Sequence, residues 1–326
     1  MTTCLTWQRG LLLGLGAAAS ALRAQGFDED FTRGPTAPWV VFGEQSLFAW
    51  EAPTQALEVT WDSGRPNSYF ARPLGTILNR QDDFTLGFVL ELDQVEVGVT
   101  AGKPYTFELA VGFLNWAAAT NPAFRRGTGG ASPNLVTLDY FPDSGYGATI
   151  WPTFVGREGR WNYNGSDDFT ILELEPGVRH RFELTYTAAD QTLRTRLWRD
   201  GVAVGPVKDV RLAPRFTDYA VDTFAVCSFS DAGAQGSLRA RGWVDDITVR
   251  VPPPPLERIT GRFDGQTWTV RFDARTNWLY ALERSVNGTR WDAVSTNIQV
   301  PTNGLATLTD PTSLDDALYR VRAEKP

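Results

Sequence analysis

The sequence predicts an all-β protein made of two antiparallel β-sandwiches. Apolar residues recur at every second position over several stretches, polar turn signals separate those stretches, and four consecutive prolines, Pro252 to Pro255, interrupt the chain once. A period of two is that of a strand with one packed and one wet face. A proline run can continue neither a sheet ladder nor a helix and sits as an extended spacer. It separates residues 25–251 from residues 256–326. No internal repeat and no helix of useful length is read.

Ahead of both blocks, residues 1–24 read as an export signal. Arg9 supplies the positive start, Leu11 to Ala19 an apolar stretch, and small residues ending at Ala21 or Ala24 the cleavage site. The stretch is too short to span a bilayer, and no later run approaches eighteen apolar residues. The expected product is secreted, extracellular or periplasmic, with no membrane insertion.

In the first block, Phe84, Leu86, Phe88, Leu90 and Leu92 alternate with Thr85, Gly87, Val89, Glu91 and Asp93. Phe107, Leu109, Val111 and Phe113 share one face by the same rule. His180, Phe182, Leu184 and Tyr186 oppose Arg179, Arg181, Glu183 and Thr185, and Leu193, Thr195 and Leu197 oppose Arg194, Arg196 and Trp198. The polar turn Thr187 to Gln191 joins that pair, and Asp200-Gly201 starts another hairpin. The second block reads as five short strands: Trp268 to Phe272, Tyr280 to Ser285, Trp291 to Val294, Ala306 to Leu308 and Leu318 to Val321. Trp268, Trp278 and Trp291 are expected in its core.

The chain carries a net charge of −7. Without residues 1–24 it has 29 basic and 38 acidic side chains, and the second block balances at nine of each, so the acidic surplus lies on the first block. Nucleic acids and anionic membranes need a basic patch and are excluded as partners. Cys4 leaves with the leader, so Cys227 remains alone and no disulfide framework exists. Cys227 lies in the apolar run Phe224 to Phe229 and reads as a small buried hydrophobe. His180 is the single histidine, which rules out a multi-histidine zinc site, and its phase with Phe182 and Leu184 makes it a packed residue. Gly127-Thr-Gly-Gly130 lacks the Lys-Ser/Thr of a phosphate loop and reads as a plain loop.

The run Gly177 to Tyr186, followed by Thr192-Leu193 and Asp200-Gly201, resembles the core hairpin of laminin-G-like and concanavalin A-like modules. Phe27-Asp-Glu-Asp-Phe31 and Trp243 to Val249 resemble their first and last strands, which lie side by side. The resemblance implies a jelly roll and a glycan-binding or glycan-cleaving ancestry. The second block resembles the small fibronectin-III-like domains at the C-termini of multimodular secreted bacterial proteins, which implies spacing or attachment.

Three sets of site residues follow. Glu91-Leu-Asp93-Gln-Val-Glu96 resembles the Glu-x-Asp-x-x-Glu strand of laminarinase-type retaining glycoside hydrolases. That resemblance implies Glu91 as nucleophile, Asp93 as modulator and Glu96 as acid/base. Strict alternation puts Glu96 on the opposite face, so the set requires a bulge between Asp93 and Glu96. Asp28, Asp30, Asp245 and Asp246 come from the two terminal strands and offer oxygens for a structural calcium ion, although adjacent aspartates alternate across a strand. Aromatic and polar residues outside strand phase, Trp116, Arg125, Asn134, Tyr146, Trp151 and Trp161, suit the stacking and hydroxyl recognition of a sugar. A non-catalytic carbohydrate-binding or adhesion protein is the first expectation. A structural extracellular module and a retaining glycoside hydrolase acting on a β-glucan-like polysaccharide are the alternatives.

Overall fold

The computed structural model describes residues 2–5, 25–35, 38–126, 132–162, 169–312 and 317–326. The apolar stretch 11–19, read above as part of an export signal, and the Gly127-Thr-Gly-Gly130 run lie outside the described residues. Two compact units are present, Gln25–Pro252 and a smaller one comprising Pro253–Pro326 with residues 1–24. Among the described residues no helix is long and apolar enough to cross a membrane.

The larger unit is an antiparallel jelly-roll sandwich of two sheets. One has seven strands, in the order Thr170–Ile171, Thr149–Val155, Leu135–Phe141, Leu109–Leu114, Val221–Ser228, Ser68–Leu78 and Val40–Phe42. The other runs Val202–Val204, Thr192–Arg199, Arg179–Thr187, Phe84–Val97, Leu238–Val251, Ala56–Asp62 and Phe48–Glu51. Val210–Arg211 adds beside Thr192–Arg199, and Gln25–Glu29 beside Leu238–Val251. The first and last strands of the unit are thus neighbours, with Phe27 opposite Val249 and Glu29 opposite Ile247.

Alternation decides which side chains meet between the sheets. Phe84, Leu86, Phe88, Leu90 and Leu92 are all buried, as are Phe182, Leu184 and Tyr186 across from them. Phe113 and Phe154 from the seven-stranded sheet contact Phe84 and Tyr186, at centroid distances of 5.2 and 5.7 Å. Each such ring contributes about 1.5–3 kcal/mol by leaving water. The hairpins close as their turn residues require: Thr187 pairs with Thr192, and Asp200 and Gly201 both take positive φ between Arg199 and Val202.

The seven-stranded sheet departs from simple alternation because both of its faces are covered. Residues pointing away from the sandwich, including Tyr69, Ala71, Ala110, Thr137, Asp139, Ala225 and Cys227, are as buried as those pointing in. Small side chains line the middle of this outer face and leave room for a second packed layer, which includes Phe124, Phe229 and Arg126.

The smaller unit pairs a three-stranded sheet, Glu257–Phe263, Trp268–Ala274 and Gly304–Asp310, with a second sheet of Leu318–Glu324, Leu279–Ser285 and Asp292–Gln299. Thr2–Leu5 pair antiparallel along the free edge of Leu318–Glu324. Glu257–Phe263 is a strand that the periodicity does not announce, because its sequence Glu-Arg-Ile-Thr-Gly-Arg-Phe has little apolar alternation. Trp278 is buried in the core, and Trp268 stacks on Tyr319 at 5.1 Å.

Candidate functional site

The carboxylates Glu91, Asp93 and Glu96 lie on Phe84–Val97, in the middle of the larger sheet. Gly242 pairs with Leu92 and Arg241 with Gln94, so Asp93 is the extra residue of a β-bulge. The bulge resets the parity: Val95 and Val97 return to the core, and Glu96 joins Glu91 on the solvent side. That face is a lattice of alternating charge. Arg241 bonds Glu58 at 2.6 Å and lies 3.6 Å from Asp93, while Arg179 and Trp243 flank Glu91 on the neighbouring strands.

The terminal aspartates are engaged by neighbouring groups, Asp245 and Asp246 both by Arg179, at 2.9 and 3.9 Å. Asp28 pairs with Arg250 at 2.7 Å. Asp30 accepts from the backbone N–H and hydroxyl of Thr32 at 3.0 and 2.8 Å, and the backbone bond lowers its pKa. Asp246 sits at positive φ in a second bulge. Among the described residues no three His, Cys, Asp or Glu side chains gather as a metal site.

Most of the aromatic and polar loop residues belong to the second packed layer. Trp116 opens the single-turn helix Trp116–Ala119, capped by Asn115 Oδ1 accepting from Ala118 N–H at 3.0 Å, and its half-buried ring meets Phe42 edge-on at 5.9 Å. Arg125 donates to the carbonyls of Pro122 and Phe124 at 2.6 and 2.8 Å. Asn134 takes a positive φ, and its Oδ1 accepts from Ala220 N–H at 2.9 Å. Trp151 and Trp161 pack on each other at 5.3 Å, and Trp161 covers the Arg126 guanidinium at 4.8 Å. Expected to be exposed from the loop-type residues around them, Trp116, Trp151 and Trp161 are partly buried.

Arg126 is the centre of that layer. Wholly buried, it donates from Nε to Glu108 and from Nη2 to Asp139, both at 2.7 Å, and lies between the rings of Trp161 and Phe229. Burial raises the Glu108 carboxyl above its usual range. Nearby Cys227 has its thiol pushed up by burial and by Asp139.

Tyr146 is the predicted contact that remains exposed, at 79%, and Tyr105, not singled out from the sequence, is 68% exposed. Tyr146 tips the turn between Leu135–Phe141 and Thr149–Val155. There Ser144 N–H bonds Gly147 O at 3.0 Å, and Asp143 Oδ1 accepts from Gly145 N–H at 3.2 Å. Asp143 N–H reaches Thr106 Oγ1 at 3.5 Å and so brings this turn against the Tyr105 loop. Ile171, 63% exposed, adjoins Gly147 and extends the patch. The Tyr105 loop is fixed from behind: Ser237 N–H donates to Tyr105 O at 2.8 Å, and Lys103 pairs with the buried Asp231 at 2.5 Å. Asp231 also accepts from Ser63 and Thr100 hydroxyls at 2.8 and 3.0 Å. The one signal for Tyr105 was its position after the Gly102-Lys-Pro104 turn.

No protein-family model matches the chain, and a search of curated proteins gives no match. Among solved structures it is similar to the seed lectin of Lotus tetragonolobus, at 10% identity over 70% of this chain and 98% of that one, with a TM-score of 0.45. Lectin II from Ulex europaeus is 12% identical over 71% of this chain and 99% of its own, with a TM-score of 0.41. The alginate lyase Aly36B is 12% identical over 69% and 96%, with a TM-score of 0.38. At such identities the likeness concerns the course of the strands.

Proposed function

We propose that the protein binds carbohydrate without cleaving it, through the end of the larger sandwich that carries Tyr105 and Tyr146. The observation that supports this reading is the pair of exposed tyrosines on adjoining, internally braced loops. An aromatic face left in water has an unused apolar surface that fits the C–H face of a sugar ring, and Asp143 and Ser144 beside it suit hydroxyls. Bracing by Asp231 and Ser237 reduces the ordering cost of binding. As a secreted module, the chain would use its smaller, fibronectin-III-like unit for spacing or attachment.

The test is a screen of the purified protein on arrayed and insoluble polysaccharides, with released reducing sugar measured in the same wells. Saturable binding without release is expected, weakened about two- to tenfold by Tyr105→Ala or Tyr146→Ala, the range of one aromatic contact. A double variant that binds like the wild type would refute the site. The bulge at Asp93 favours one second reading, a hydrolase. Sugar release lost in Glu91→Gln would establish it.

A further inference from the structure

The second packed layer encloses four buried polar atoms that have no hydrogen-bond partner: Arg126 Nη1, Asp139 Oδ1, Thr137 Oγ1 and Trp161 Nε1. They belong to one neighbourhood. Asp139 holds Arg126 through its other oxygen at 2.7 Å, and the Trp161 ring lies 4.8 Å from the guanidinium. Thr137 is two residues before Asp139 on Leu135–Phe141 and so shares its face. Arg126, Asp139 and Thr137 are themselves wholly buried. Buried polar atoms are normally satisfied by protein or by ordered water, so four such atoms in one neighbourhood call for a shared hydrogen-bonding partner.

The chemistry of the four selects the occupant. Arg126 Nη1 and Trp161 Nε1 can only donate, Asp139 Oδ1 accepts, and the Thr137 hydroxyl does either. An anion would face the Asp139 carboxylate and a cation the Arg126 guanidinium, each at close range in a poorly screened interior. A neutral hydroxyl both accepts and donates and adds no charge. We propose that this polar cluster binds a neutral hydroxyl group, water or the hydroxyl of a small polyol or sugar, between Arg126, Asp139, Thr137 and Trp161. The guest ties the Arg126 segment to the seven-stranded sheet. The proposal is independent of the tyrosine loops.

Crystals of the full chain diffracting to better than about 1.5 Å, grown without polyols and then soaked in glycerol or galactose, test it directly. Density within about 3.2 Å of both Arg126 Nη1 and Asp139 Oδ1 is expected. A single-atom peak that persists through the soaks identifies water, and replacement by a larger feature identifies a polyol or sugar. Thr137→Val gives a second readout whose sign decides. Losing a bond to the guest lowers Tm by about 2–4 °C, whereas removing a true orphan hydroxyl raises it. No density at the cluster, or a rise in Tm, would overturn the proposal.

Discussion

Replacing Arg126 by methionine tests the second packed layer as a structural element. Methionine keeps the apolar stem between Trp161 and Phe229 but removes both 2.7 Å charge-assisted bonds and leaves the buried Glu108 and Asp139 carboxyls without their cation. Breaking a buried ion pair from one side costs about 3–5 kcal/mol, because the remaining charge is uncompensated. For a unit of this size each kcal/mol moves Tm by about 2–4 °C, so a fall of roughly 6–20 °C is expected. Neutralising the partners should restore much of it. Since burial already favours the neutral Glu108 carboxyl, adding Asp139→Asn should recover more than adding Glu108→Gln. Calorimetry separates the transitions of the two units, and urea unfolding followed by tryptophan fluorescence gives the free energy. A cost below about 1 kcal/mol, or an Arg126→Met/Asp139→Asn variant no more stable than Arg126→Met, would refute the assignment of Arg126 as the layer's keystone.

Other consequences concern acid stability, the loop scaffold and the buried thiol. His180 is buried and burial lowers its pKa, so below about pH 6.5 the unfolded chain binds a proton that the folded one refuses. Stability should therefore fall as pH drops through that value, and His180→Phe should flatten this part of the pH profile measured by urea titration; an unchanged profile would contradict it. At Gly236 a Cβ would lie 1.8 Å from Thr106 O and 2.8 Å from Tyr105 O, so Gly236→Ala must push the Tyr105 loop aside. Glycan binding should drop at least as far as in Tyr105→Ala, and wild-type binding by this variant would argue against the loop-end site. Cys227 is wholly buried and its thiol pKa is raised, so peptide-level alkylation should miss it in the native protein and capture it only with unfolding.

The strands and their two faces were legible in the sequence because the pleat repeats every two residues and burial follows it. The burial of Phe84 to Leu92 and the hairpin from Arg179 to Arg199 follow from that period and from turn chemistry, whereas the adjacency of Phe27 to Val249 was implied by the resemblance to concanavalin A-like modules. The sequence also stated the condition for Glu96 to face the same way as Glu91, a bulge, but only pairing with Leu238–Val251 could supply it. The same holds for the terminal aspartates. Their strands are neighbours as expected, yet Arg250 and Arg179 reach them across the sheet and no local pattern reports that.

Periodicity says which residues share a face and is silent about what covers it. By itself the sequence determined an all-β chain, its strand faces and the turns that join them, since these depend on residues close together along the chain. Tertiary structure alone decided that the outer face of the seven-stranded sheet is roofed, that Trp151 and Trp161 pack on each other, and that Arg126 meets Glu108 and Asp139. Those contacts join separate strands and loops whose meeting depends on the space left by small residues such as Ala71, Ala110 and Ala225. It likewise brought Tyr105 against the Tyr146 turn, because sheet register fixes which loop ends adjoin.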